Sequence, residues 1–150
     1  MSNMCDIDDV LEYQADALEF GIASFDDYFS KTTNDLLRRL QIEWWMVKSA
    51  QGSSSLTVGT AYADFDTTKL DYTQFTRAAV FACLGDYVYP ALASFTPEGD
   101  KFQELMKYYR QEADKEFDLI LRRGVRYDSD GDSTFTTQEM EPVNFGRLVR

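Results

Sequence analysis

The chain has no histidine among its 150 residues. That absence removes the commonest general base, the histidine-based catalytic triads and every zinc site built on imidazole. Two cysteines, Cys5 and Cys83, are too few to close a zinc site alone. Cys5 falls in a terminus expected to be mobile and Cys83 in an expected helix, and both read as free thiols of a reducing compartment. There is no glycine-rich phosphate loop. No apolar run approaches the roughly 18–20 residues that span a bilayer, so no membrane contact is expected. The opening stretch MSNMCDIDDV has neither a basic nor an apolar leader region, and no secretory signal is expected. An enzyme built from carboxylates alone, such as a glycosidase, remains open to this composition. The 26 acidic residues also supply many accidental pairs, and the sequence is read as non-enzymatic.

What is present fits one folded domain: 44% apolar residues, 15% aromatic residues and a net charge of −11. The charge is unevenly spread. Residues 1–30 hold eight acids and no base, residues 31–126 balance at 13 of each, and residues 127–150 hold five acids against two arginines. A neutral body lies between acidic ends, with no basic stripe for a nucleic-acid backbone. The ends read as solvated surface, or as a face that repels DNA or meets a basic partner.

The pattern predicts a mostly α-helical fold: a small bundle with one long helix, a projecting loop or hairpin near 49–70 and an extended C-terminal tail. Helix-like but broken spacing in 6–22 predicts short helical turns ending near Gly21. Ser24 is a good N-cap, with Asp26 and Asp27 in the first turn of a helix running to about residue 48. Phe29, Thr33, Leu36, Leu40, Trp44 and Val47 share one face of it. Trp44 and Trp45 point about 100° apart, so Trp45 is a candidate partner-docking residue, the alternative being that both pack within the domain. A helix over 71–95 is capped by Asp71 and Gln74 and interrupted at Pro90. A last helix over 97–123 starts at Thr96 and Pro97 and stops at Gly124, with Phe102, Met106, Tyr109, Ala113, Phe117 and Ile120 as its apolar stripe. The expected organisation is a helical domain over 1–124 and an acidic turn with a docking tail over 125–150.

One stretch carries possible chemistry. In DSDGDSTFTTQE, Asp128, Asp130, Asp132, Thr134, Thr136 and Glu139 occupy positions 1, 3, 5, 7, 9 and 12 of a calcium-binding EF-hand loop. Against that reading, position 6 is Ser133 where glycine makes the sharp turn. Gly124 stops the preceding helix early, and Pro142 interrupts any exiting one. The stretch is read as an acidic turn leading into a docking tail, with calcium as the alternative and no other cofactor.

The order of segments resembles the head–tail connector, or adaptor, proteins of tailed bacteriophages. The likeness runs through DDVLEYQADALEFGI, SFDDYFSKTTNDLLRRLQIEWW, LDYTQFTRAAVFACLGDYVYPALASF, GDKFQELMKYYRQEADKEFDLILRRGVRYDSDGD and EPVNFGRLVR. It implies a structural virion protein of the neck, made in the host cytoplasm. Roughly twelve copies would form a ring against the portal protein and other neck or tail proteins, with DNA passing through unread. It also implies docking arms. Here Val143, Phe145, Leu148 and Arg150 are the tail candidates, and the domain is expected to stay largely monomeric until it meets the portal. Two alternatives are a calcium-responsive binding module and a free-standing cytosolic interaction protein.

Overall fold

The computed structural model describes residues 2–48, 65–94, 97–137, 139, 140 and 142. The fold is mostly helical, and no strand longer than an isolated bridge occurs among the described residues. Helix α1 spans Ile7–Tyr13, α2 Asp26–Leu40, α3 Thr76–Cys83, α4 Tyr89–Leu92 and α5 Lys101–Arg123. The expected loop at 49–64 and the tail at 143–150 lie outside the described residues. The chain forms two compact units: residues 1–34 with 72–118, and 35–71 with 119–150. They interleave along the sequence, whereas the expected organisation cut it once after residue 124.

In unit 1 the acidic amino end is folded, which corrects its expected mobility. Met4 and Cys5 are buried, and the Met4 N–H donates to the Thr33 hydroxyl at 2.9 Å. Asp6 and Asp9 close a reciprocal capping box at the start of α1, so two of the eight acids serve the fold directly. Cys83 is also buried, and both thiols are free. Burial raises both pKa values, that of Cys83 to about 12 although the neighbouring Thr32 hydroxyl opposes the shift. Neither thiol is therefore poised for nucleophilic work.

Helix α3 is apolar all round, with Ala78 through Leu84 buried. It runs into a π-helical turn, Leu84–Val88, before α4. Pro90 explains the irregularity. The Tyr89 N–H reaches back to the Leu84 carbonyl, and Pro90 has no N–H to offer Gly85 in the next register. The Gly85 carbonyl is instead taken by Arg110 Nε of α5 at 3.1 Å. Gly85 must be small: a Cβ there would lie 2.8 Å from the Arg110 backbone nitrogen.

Helix α5 starts four residues later than the sequence signals suggested. Thr96 lies outside the described residues, and Asp100 is the working cap. Its carboxylate accepts from the Ser94 hydroxyl at 2.5 Å, the Ser94 N–H at 2.8 Å and the Gln103 N–H at 2.9 Å, and those bonds, the Ser94 hydroxyl foremost, hold its pKa down at about 2. The predicted stripe is buried from Met106 through Ile120, with Phe102 half-buried. The third predicted helix opens as a 3-10 turn, Tyr72–Phe75, and becomes α-helical at Thr76.

In unit 2 the end of α2 is a second π-helical turn, Gln41–Trp45. Both tryptophans enter one aromatic cluster. Trp44 is fully buried, and the Trp45 ring lies 5.0 Å from Tyr127 and 5.5 Å from Phe65. Residues 65–70, expected to project, pack down: Leu70 is buried and pairs antiparallel with Tyr127, flanked by Asp71 N–H to Arg126 O and Asp128 N–H to Lys69 O. Helix α5 ends where predicted, at Gly124 with φ +104°.

A Cβ on Gly124 would sit 1.6 Å from the Met140 carbonyl oxygen. Gly124→Ala is therefore expected to lose about 1–3 kcal/mol or more, from left-handed backbone strain plus displacement of Met140. Gly131, at φ +78° with open space around it, is the control: Gly131→Asn should change stability by less than about 0.5 kcal/mol. Urea unfolding of the two variants checks the difference, and equal losses would refute the packing argument.

Candidate functional site

The acidic stretch after α5 is a compact folded loop of unit 2. Tyr127 anchors its start in the aromatic cluster, and two contacts hold its end: Lys48 Nζ donates to the Glu139 carbonyl at 2.9 Å, and Met140 is seated at Gly124. Between these anchors, carboxylates organise the backbone. Asp128 accepts from the N–H groups of Gly131, Asp132 and Ser133 at 2.9, 3.1 and 2.8 Å. Asp130 accepts from the Asp132 N–H at 3.1 Å, and Asp132 from the Thr134 N–H and hydroxyl at 2.8 and 2.6 Å. These are successive Asx turns, which short acidic side chains form readily.

Glu139 is the centre. Its Oε1 accepts from the Ser129 N–H and hydroxyl and from the Asp130 N–H, at 2.8, 2.9 and 3.3 Å. Its Oε2 accepts from the Thr136 N–H and hydroxyl at 3.0 and 3.2 Å. The carboxylate thus ties residue 129 to residue 136 across the loop, and it is nearly buried. Bonds from the Thr136 N–H and the Ser129 hydroxyl lead in holding its pKa at about 2. Asp132 is also lowered, by Thr134. Asp130 is raised: the Asp132 N–H favours its charged form, but the hydrogen bond shared with Asp128, burial, and the charges of Asp132 and Glu139 outweigh that.

Of the six candidate ligands, the loop brings three together. Asp128, Asp130 and Glu139 each present an oxygen within 4.8 Å of the others. Asp132 lies outside that group with its Oδ1 on Thr134, and the Thr136 hydroxyl is bonded to Glu139. One expected obstacle is absent: Ser133 takes a left-handed conformation, φ 68°, the turn that glycine supplies at position 6 of an EF-hand loop. The other obstacles stand. Helix α5 ends at Arg123, and Pro142 is not helical. The donors are all hard oxygens, which suit calcium or magnesium better than softer metals.

Among the docking candidates, Trp45 is half-buried in the aromatic cluster. Val143, Phe145, Leu148 and Arg150 lie outside the described residues. Three contributors to the loop were not singled out in the sequence: Ser129, which caps Glu139 twice, Lys48 and Phe65. Ser129 was legible as a donor between acids. Lys48 and Phe65 meet the loop only through the tertiary fold. Compared with known protein families, curated proteins and solved structures, the chain matches none of them.

The lowered Glu139 pKa gives a signed pH dependence. A carboxyl whose folded pKa is below its ordinary value of 4.5 contributes stability that is present above that value and is lost as pH falls toward about 2. Tryptophan fluorescence should therefore report loosening around Trp44 and Trp45 within this window. Glu139→Gln should remove that acid-sensitive component and weaken the loop already at neutral pH. An unchanged acid profile in Glu139→Gln would show that another group is responsible.

Proposed function

We propose that this chain is a non-enzymatic structural protein of a tailed-phage neck. In this reading, a ring of copies joins the portal to the tail and gives DNA a passage without reading its sequence. The observation that carries it is the stretch from Tyr108 to Asp132, on which the resemblance rests together with helix order and length. There a single helix of 23 residues passes through Gly124 directly into a self-organised acidic loop. The chemistry is consistent with this role. The cysteines are buried with raised pKa values, histidine is absent, and the loop's carboxylates are spent on its own backbone. No helix among the described residues is long and apolar enough to cross a membrane. Net negative charge keeps a passing polyanion from adhering, within the roughly 8 Å screening length of physiological salt.

Expression with the remaining structural proteins of a phage, followed by particle purification, tests the reading. The chain should copurify at a fixed stoichiometry with heads and complete particles. Deleting 143–150 should leave the thermal transition within a few degrees of wild type but abolish attachment to heads. Full infectivity of particles carrying the deletion would remove the tail from the docking role, and absence of the intact chain from particles would sink the reading.

A second reading is favoured by the cluster of Asp128, Asp130 and Glu139 and by the left-handed Ser133: the loop is a cation-responsive element. Calcium would be held by those three carboxylates, with the Thr134 carbonyl, Asp132 and Thr136 closing the shell after the loop rearranges. Calorimetry with calcium on the isolated protein distinguishes the two. Tight binding that is lost in Glu139→Gln favours the second reading, and no heat up to millimolar calcium favours a purely structural turn.

A further inference from the structure

Asp130 is the one aspartate of the chain that is followed by glycine, and no asparagine is followed by one. An aspartyl–glycyl bond carries its own chemistry. The nitrogen of the following residue can attack the aspartate side-chain carbon, and glycine has no Cβ to crowd that approach. The rate depends on whether the fold holds the two atoms together.

Three features of the loop do so. Asp130 Oδ1 accepts from the Asp132 N–H at 3.1 Å, two residues on. This Asx turn folds the Asp130 side chain back over the peptide that it shares with Gly131, which brings its carboxyl carbon toward the Gly131 nitrogen. The Gly131 N–H donates to Asp128 Oδ1 at 2.9 Å, so the proton that must leave this nitrogen already rests against an acceptor. Gly131 has φ +78° and nothing within 4 Å of the position a Cβ would take. Asp130 and Gly131 are both exposed, so water reaches the bond.

The neighbouring aspartates lack part of this arrangement. Asp132 makes the same turn, to the Thr134 N–H at 2.8 Å, and the Ser133 N–H likewise donates to Asp128 at 2.8 Å. Ser133, however, carries a side chain beside its nitrogen. Asp128 turns its oxygens to the N–H groups of residues 131–133, and the Ser129 N–H beside it is held by Glu139.

We propose that Asp130–Gly131 is a self-modification site: the native loop cyclises there to a succinimide and reopens to isoaspartate, which loosens the clasp around Glu139. In the first step the Gly131 nitrogen bonds to Asp130 Cγ and a Cγ–O bond breaks. The oxygen leaves as water, with one proton from the nitrogen and one from the carboxyl group or solvent. In the second step water adds to one of the two ring carbonyls. Opening at the side-chain carbonyl restores aspartate, and opening at the main-chain carbonyl leaves isoaspartate, with the chain now running through Cγ. No enzyme, metal or oxidant enters the balance. The isoaspartyl backbone is one carbon longer. Its free carboxylate sits on Cα, out of the group with Asp128 and Glu139, and the Asp132 N–H loses the side-chain oxygen that holds it. The Asp130 N–H that donates to Glu139 lies at the same distorted point.

Ageing the purified full chain in metal-free buffer at neutral pH and body temperature tests the proposal, beside a sample unfolded in guanidinium chloride. Trypsin releases the peptide Tyr127–Arg147. It is read for a species lighter by one water, and for isoaspartate by methyltransferase labelling and fragment ions. Isoaspartate should form at residue 130 about threefold or more faster in the folded chain than in the unfolded one. It should form more slowly at Asp132 and not at Asp128. Asp130→Glu should lose it, because the longer side chain must close a six-membered ring. The isoaspartyl fraction, isolated by chromatography, should melt below the fresh protein. The folded-against-unfolded comparison uses wild type alone, so it decides even where Asp130→Glu destabilises the loop. Equal or slower formation in the folded chain, modification led by Asp128 or Asp132, or an isoaspartyl fraction that melts like fresh protein would each overturn the proposal.

Discussion

Glu139 lies ten residues after Ser129 in sequence, yet its carboxylate is bonded to both ends of the loop that follows α5. Two oxygens collect five hydrogen bonds, and charge-assisted bonds of this kind are roughly twice as strong as neutral ones. The loop has few apolar groups to bury, so this carboxylate does what a hydrophobic core does elsewhere. It also fixes the neighbours. With Glu139 in place, its carbonyl meets Lys48, and Met140 reaches Gly124 in the space where any other residue would carry a Cβ. Tyr127 then stays in the ring cluster with Trp44, Trp45 and Phe65. Unit 2 is thus a polar clasp and an aromatic cluster joined through a few residues at the end of α5.

The same economy explains the two π-helical turns. An extra residue in a helical turn usually loses stability and persists where the surroundings compensate for it. At Leu84–Val88 the compensation is Arg110, which takes the carbonyl that Pro90 cannot serve. At Gln41–Trp45 the turn coincides with adjacent tryptophans whose ring centroids lie 5.8 Å apart. A regular helix would turn the second ring away by about 100°. Here both rings pack with Phe65 and Tyr127, so the aromatic surplus that suggested a docking residue is largely accounted for within unit 2.

The loop illustrates how close a structural acidic turn and a cation-binding loop are in chemistry. Both need carboxylates at alternate positions, both need a left-handed residue in mid-loop, and both use a terminal glutamate to close the ring of oxygens. Here the Asp and Glu oxygens face backbone N–H donors, and three of them converge. The same oxygens retain lone pairs, which is why one stretch of sequence matches both patterns.

Sequence alone determined the helices, because their signals are local. The apolar spacing of Phe29 to Trp44 and of Met106 to Ile120 marked buried faces, and Gly124 marked the end of α5. The composition of the acidic loop and the oxygen spacing of Asp128 to Glu139 were equally plain in the sequence. The tertiary structure decided what depends on distant residues meeting. It folded the acidic amino end onto Thr33, moved the start of α5 from Thr96 to Asp100, and packed Phe65 where a projecting loop was expected. It also allowed Ser133 the left-handed turn that its side chain disfavours, because the Asp128 carboxylate holds the Ser133 N–H in place. Periodicity and capping act over a few residues and are written in the chain. Burial, carboxylate satisfaction and the closeness of Gly124 to Met140 depend on long-range contacts, and no short window of sequence contains both partners.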